Sequence, residues 1–383
     1  MKNWPTQKYS RSDVAAAGVV LAKGVPDYSD LELERESKWF DYSDIRRSYT
    51  AYERARQEYE QALRVVNNWR AIHGFPLNAF QVRLRRCARN IHPHALVSQR
   101  TKRVVSIAAK IREMGIKLPT IQDIAGCRAI LETVAQVREL HSRYYAFDPQ
   151  TREGVYGKHK GRLKDYIVAP KPKTGYRSLH LVFEYCSERD DTYNGLKIEV
   201  QLRTRLQHAW ATAVETVQRF TGQELKAGRG KEDWLTFFKL TSSAFAIMER
   251  TPVVEGITSN VTNLQNEILE KMNFLKFEEV LKGFGAAFNL SKQRSSEDDF
   301  YYLLIFEQAS TGPSLRILPY RRDQYEQATK DTLEYDNQFR GGFGGDAVLV
   351  SVNNIRELRR AYPNYYLDTT SFVDSTKQFL ATH

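Results

Sequence analysis

This chain is poor in the residues that build cross-links and membrane spans. Its three cysteines, Cys87, Cys127 and Cys186, stand far apart in 383 residues and form no CxxC pair, which excludes a disulfide framework and a structural zinc site. No apolar run approaches the eighteen or so residues that cross a bilayer. The segment AAAGVVLA after Lys8 and Arg11 has some look of a secretory leader, but Ser12 and Asp13 before it read as a helix N-cap. No internal repeat is visible. The expectation is a cytoplasmic protein without a membrane partner.

What the chain has in excess is positive charge, +11 overall. It is unevenly placed. From Ser296 onward nine Lys or Arg stand against thirteen Asp or Glu, a balance of −4, so the first 295 residues carry +15. A basic body with an acidic end suits a phosphate-rich partner for the body and electrostatic docking of the tail upon it.

Periodicity predicts helices at 42–69 (apolar Ile45, Tyr49, Tyr52, Tyr59, Leu63), after the break at Gly74–Pro76, and from Gln99 to Met114. Strands are predicted near 125–131, 162–168, 178–185 and 197–202, with a helix near 134–145 between the first two. Three helices should follow near 206–220, 233–249 and 260–281. The class is α+β, a mixed sheet flanked by helices. After Gly283 a Gly-, Ser- and charge-rich stretch reads as a linker. A small module of strands, a helix near 323–339, a strand at 347–352, the helix NNIRELRRAY and a terminal helix follows. The predicted organisation is a body over 1–282, a linker over 283–299 and a C-terminal module over 300–383. The module has no cysteine and its one histidine is His383, so no metal builds it.

Four blocks carry chemistry. Lys102, Ser106 and Lys110 recur every four residues, two ammonium groups and a hydroxyl that form a rail for a polyphosphate. Asp123 and Arg128 flank Gly126 at the entry to a strand, where a carboxylate suits magnesium and a glycine admits close backbone approach. GYRSLH and then KIEVQLRT complete the set. In the latter, Lys197, Glu199, Gln201 and Arg203 should face one way and Ile198, Val200 and Leu202 the other.

In order and rough spacing, R-x-K-x-x-x-S-x-x-x-K, D-x-x-G-x-R, GYRSLH and E-x-Q-x-R-T resemble the synthetase domain of the RelA/SpoT family, a nucleotidyltransferase-like fold that moves pyrophosphate from ATP to a ribose hydroxyl. The resemblance implies that Arg100 and Arg128 sandwich adenine and that Lys102, Ser106 and Lys110 hold the phosphates. Asp123 and Glu199 would bind Mg2+, with Glu199 near enough to help deprotonate the attacking hydroxyl. Tyr176 would stack on the acceptor's base, and Arg177, His180, Gln201, Arg203 and His208 would line the acceptor pocket.

No histidine is followed by aspartate, so the hydrolase half of the long bifunctional relatives is absent. The architecture looks like the toxic small alarmone synthetases, most of all the fused toxin–antitoxin CapRel type, whose C-terminal pseudo-zinc-finger acts as antitoxin and phage sensor. The resemblance places Tyr362 and Tyr365, in YxxY spacing, over the ATP pocket. It further implies that the acceptor is the tRNA 3′ end and the trigger a phage protein such as a major capsid protein. Arg46, Arg47, Arg83, Arg85, Arg86, Lys158 and Lys160, with Arg54, Arg56 and Arg89, offer more cations than a free nucleotide needs, in keeping with a tRNA backbone. The alternative is (p)ppGpp or ppApp synthesis on free GDP, GTP or ATP.

Overall fold

The computed structural model describes residues 4–24, 42–145, 159–221, 223–277, 289–290, 299–309, 312–339, 345–352 and 369–382. Helix α1 (Arg11–Lys23) opens on a capping box, in which Asp13 accepts from the Ser10 backbone N–H and Ser10 from that of Asp13. The cap therefore lies two residues before the predicted Ser12, because Ser-x-x-Asp fits 10–13. Next come α2 (Tyr42–Ile72) and α3 (Gly74–Ile91). Among the described side chains of α2, Tyr59 and Leu63 are buried while Tyr49 is exposed.

Strand β1 (Leu96–Thr101) corrects the sequence reading, which extended the next helix back to Gln99. The helix holds Ser106 and Lys110 but begins only at Val104, because residues 96–101 pair with one neighbouring strand and Gln99 and Arg100 with another, and pairing outweighs local periodicity. Helix α4 (Val104–Met114) then runs to a left-handed Gly115 cap. The core continues through β2 (Ala125–Leu131), α5 (Val134–Tyr145), β3 (Lys160–Asp165), β4 (Leu179–Glu184) and β5 (Lys197–Thr204). Strand β3 stops short of the predicted Val168 because the Asp165 carboxylate accepts from the N–H groups of Ile167 and Val168, turning the chain.

Helices α6 (Arg205–Thr221), α7 (Glu232–Met248) and α8 (Val261–Phe274) form a layer with its own core of Trp210, Trp234, Phe237, Phe238 and Phe277. Helix α8 ends seven residues before the predicted Leu281. Beyond it lie β6 (Asn289–Leu290), β7 (Asp299–Ala309), β8 (Gly312–Arg321), α9 (Tyr325–Gln338), β9 (Gly345–Ser351) and α10 (Thr370–Leu380).

The strand order is β3-β4-β5-β2-β1-β9-β7-β8-β6. Pairs β2–β5 and β6–β8 are parallel and the rest antiparallel, so the predicted mixed sheet is present. It does not stop at residue 282. Strand β9 pairs with β1, and Leu96 and Ile130 share one core with Tyr302, Leu304, Val348 and Val350. On the other side of the chain's C-terminal part, Phe372 and Phe379 of α10 sink into the α6–α8 core.

Helix α9 lies against α2 and α3. The Tyr325 ring fills the space over Gly74, where a Cβ would meet its hydroxyl oxygen at 2.3 Å. Trp4 packs on the same ring with centroids 5.0 Å apart. Tyr362, Tyr365, the helix NNIRELRRAY and Lys158 fall outside the described residues, as does the predicted linker apart from Asn289–Leu290, which form β6, and Asp299, which opens β7. Among the described residues no helix is long and apolar enough to cross a membrane.

Candidate active site

The site is laid out by strand register. Arg100 on β1 pairs with Gly126 on β2, and Gly126 with Glu199 on β5. One rung further, Ser98 pairs with Arg128, Arg128 with Gln201, and Gln201 with His180 on β4. Period-two alternation then turns all of these toward one face. Along β5 the other face holds Ile198, Val200 and Leu202, all fully buried, as the sequence alternation predicts. Gly126 suits this layout: a Cβ there would crowd the Glu199 carbonyl oxygen at 3.0 Å. One cavity is lined by Arg100, Lys102, Asp123, Arg128, Glu199 and Gln201, with Ser98 and Cys127 beside them.

Asp123, in the turn before β2, receives two ammonium groups. Lys102 Nζ donates to Oδ2 at 2.8 Å and Lys110 Nζ to Oδ1 at 2.9 Å. Burial works to raise the Asp123 carboxyl's pKa, yet the two lysines hold it well below the usual range. Burial in turn holds the Lys102 ammonium below its ordinary value, against the attraction of Asp123. Ser106 is half-buried, in the first turn of α4.

Glu199 belongs to a closed ring of hydrogen bonds. Its Oε1 lies 2.8 Å from His180 Nδ1, and its Oε2 accepts from Gln201 Nε2 at 2.7 Å. His180 Nε2 meets the Tyr176 hydroxyl at 2.6 Å. Arg203 closes the ring by donating to that hydroxyl at 2.5 Å and to Gln201 Oε1 at 2.9 Å. Despite burial, the bond from His180 keeps Glu199 below the ordinary carboxyl value. Burial alone would raise the Tyr176 phenol, but the Arg203 guanidinium and His180 overcome it and bring it down to about 7. Lys171 also lies over the Tyr176 ring, 5.2 Å from its centroid, a neighbour the sequence reading missed.

A stability prediction follows from the phenol. In an unfolded chain it ionises near its ordinary value of about 10. Between about pH 7 and that value the unfolded chain binds more protons than the folded one, so stability should rise with pH across that window. Thermal melts should show this rise in the parent chain and a weaker one in Tyr176→Phe. Parallel curves for the two proteins would refute the depressed phenol.

The other predicted residues divide. Arg128 donates to His208 Nδ1 at 3.3 Å, so these two side chains meet at the edge of the cavity. Arg177 departs from expectation: it does not line the cavity but is buried, donating to Ser242 Oγ at 3.0 Å and to the Ile167 carbonyl at 3.1 Å. Of the basic residues, Arg86 and Lys160 are exposed and Arg83 half-buried, while the side chains of Arg46 and Arg47 fall outside the description. Arg85 packs over the Phe300 ring of β7 at 5.5 Å, and Arg56 pairs with Glu53 and Glu60 on its own helix. Ser98 was hidden from sequence reading because its segment looked like the approach to a helix.

No cluster of three or more metal-ligating side chains occurs among the described residues. Asp123 and Glu199 fit a magnesium ion that draws its other oxygens from phosphates and water. Both carboxylates line the same cavity, both are held ionised, and magnesium commonly takes only one or two protein carboxylates.

Comparison with known proteins bears on the segment that carries the site. The family model described as a region found in RelA / SpoT proteins matches residues 99–223. The GTP pyrophosphokinase YwaC of Bacillus subtilis is 28% identical over 167 residues, covering 39% of this chain and 73% of that protein. The GTP pyrophosphokinase YjbM of the same organism is 33% identical over 123 residues, which is 31% of this chain and about half of that protein, 54%. Among solved structures, the small alarmone synthetase 1 from Bacillus subtilis bound to its product pppGpp is 23% identical, covering 46% of this chain and 89% of that one, with a TM-score of 0.39. The matched segment runs from β1 to α6 and contains Arg100, Lys102, Asp123, Tyr176 and Glu199, so the chain carries a RelA/SpoT synthetase domain, the catalytic domain of a pyrophosphokinase.

Proposed function

We propose that the protein transfers the β,γ-pyrophosphate of ATP to the 3′-hydroxyl at the CCA end of tRNA, which blocks aminoacylation and hence translation. The observation that carries the transfer is the cavity lined by two ionised carboxylates, Lys102 and two arginines, with Lys110 donating to the Asp123 carboxylate. In this reading Arg100 and Arg128 flank the adenine, and Lys102, Ser106 and Lys110 hold the phosphates. Glu199 takes the proton of the attacking hydroxyl as that oxygen bonds to the β-phosphorus. The bond from the β-phosphorus to the α,β-bridging oxygen breaks, and AMP leaves. Magnesium at Asp123 and Glu199 supplies charge neutralisation for the phosphates.

Tyr176 offers its ring to the acceptor's terminal base, with His180, Gln201, Arg203 and His208 around it. Stacking of this kind contributes about 1–3 kcal/mol per base and favours no particular base. Arg83, Arg86 and Lys160 serve the tRNA backbone. The residues around Tyr362 and Tyr365 close the ATP site at rest, and a phage protein such as a major capsid protein releases them, making the chain an anti-phage toxin with its own antitoxin.

A second reading has specific support. The relatives are named GTP pyrophosphokinases, and Arg56 and Arg85 are engaged within the protein, which thins the basic surface. In that reading the acceptor is a free purine nucleotide. The two separate when the chain bearing Tyr362→Ala and Tyr365→Ala, with its ATP site open, is given ATP labelled at the β- or γ-phosphorus together with deacylated tRNA, GDP and GTP. Label on the tRNA 3′ end, absent when that end has been oxidised by periodate, is the expected result. Label confined to free nucleotides would overturn the tRNA reading.

A further inference from the structure

Lys102 is held at three points. Its ammonium is on Asp123, and its backbone N–H donates to the Ile124 carbonyl at 2.7 Å. Its own carbonyl accepts from Arg70 Nε at 2.9 Å. Arg70 lies in the last turn of α2, with its side chain only 4% exposed. That guanidinium is in turn fixed from the C-terminal part of the chain, for its NH1 nitrogen donates to Asp336 Oδ2 of α9 at 2.5 Å, and Asp336 is 7% exposed. A buried guanidinium needs a partner of opposite charge to stay in place. Asp336 supplies it from 266 residues away.

We propose that Arg70, held by Asp336, is a positioning residue for the ATP site: it fixes the peptide of Lys102, and the C-terminal part of the chain thereby sets the affinity for ATP. The inference rests on the reading of Lys102 as a phosphate-binding residue. Neither Arg70 nor Asp336 lines the cavity, so neither touches a reacting atom. Their leverage is geometric. Lys102 is the last residue but one before α4, and a shift of its carbonyl swings both its own ammonium and the entry to the helix bearing Ser106 and Lys110. Docking of α9 is otherwise secured by Tyr325 over Gly74 and by the pairing of β9 with β1, at Arg100↔Val350. The coupling must be reciprocal: if Asp336 tightens ATP binding, bound ATP tightens α9 on α2.

The test is binding of a non-hydrolysable ATP analogue, by calorimetry, to the full chain bearing Tyr362→Ala and Tyr365→Ala, which opens the ATP site in the reading above and serves as the parent throughout this comparison. In the double exchange Arg70→Met with Asp336→Leu, both charges of the buried pair go together, which typically preserves folding. Circular dichroism and a thermal melt check that it does, and Asp336→Asn carries the same comparison if the double exchange does not fold. Tyr320→Phe is the control, since it removes a bond to Asp331 within the same C-terminal part, 2.6 Å long, that does not reach Arg70. Expected is a loss of affinity of roughly 5- to 30-fold in the double exchange. Affinity should be unchanged in Tyr320→Phe. The KM for ATP should rise while kcat at saturating ATP and the KM for the acceptor hold. Hydrogen exchange in residues 325–338 should slow when the analogue binds the parent chain.

A folded double variant that binds the analogue as tightly as the parent would overturn the inference, and so would equal weakening in Tyr320→Phe. A parent chain that does not bind the analogue at all would sink the ATP reading itself, and this inference with it.

Discussion

Replacing Glu199 by glutamine is expected to lower kcat by about 10²- to 10⁴-fold without unfolding the protein. The carboxylate is held ionised between His180 Nδ1 and Gln201 Nε2, where it can accept a proton and lie against a cation. An amide can do neither. Its NH2 group would also face His180 or Gln201, so the ring closes only if His180 changes tautomer or Gln201 turns over. The fold should survive, because β5 is anchored by Ile198, Val200 and Leu202 on its opposite face. Circular dichroism and steady-state rates decide the matter. A folded Glu199→Gln enzyme keeping more than about a tenth of the parent rate would exclude a proton-transfer role for this carboxylate.

Expressing the full chain with Tyr362→Ala and Tyr365→Ala should arrest growth where the parent chain is tolerated. Point exchanges are the right instrument because truncation would damage the catalytic sheet. Strand β9 pairs with β1, the core around Tyr302 and Val350 includes Leu96 and Ile130, and Phe372 and Phe379 of α10 belong to the core of α6–α8. A chain cut near residue 281 would expose a strand edge and two apolar surfaces, so its inactivity would say nothing about inhibition. Adding Glu199→Gln to the double tyrosine variant should restore growth, which ties the arrest to the reaction. Harmless growth of the well-expressed double variant would count against a built-in antitoxin.

Much of the site is legible in the residues because strand alternation is local. Lys197 to Arg203 alternates as β5 does, and the Gly126 reading survives as a close approach to Glu199. The helix read back to Gln99 fails because its cue, two lysines and a serine at four-residue spacing, is silent about the strands that capture residues 96–101, and the helix begins only at Val104. Arg177 sits between two residues of known direction, yet whether it enters the cavity depends on Ser242 of α7, remote in sequence. The pairing of Arg70 with Asp336 and the packing of Arg85 on Phe300 are invisible for the same reason. The charge count places Arg56 and Arg85 among the cations of a nucleic-acid surface, whereas folding engages both in contacts within the protein.

The most direct test of the pyrophosphoryl-transfer account gives the chain bearing Tyr362→Ala and Tyr365→Ala ATP labelled at the β-phosphorus, with the products separated after a single incubation with acceptor. The account predicts that the label moves to the acceptor and that unlabelled AMP appears in equal amount. Labelled ADP in place of AMP, with no label on any acceptor, would show a phosphoryl transfer or hydrolysis at the γ-position and contradict it.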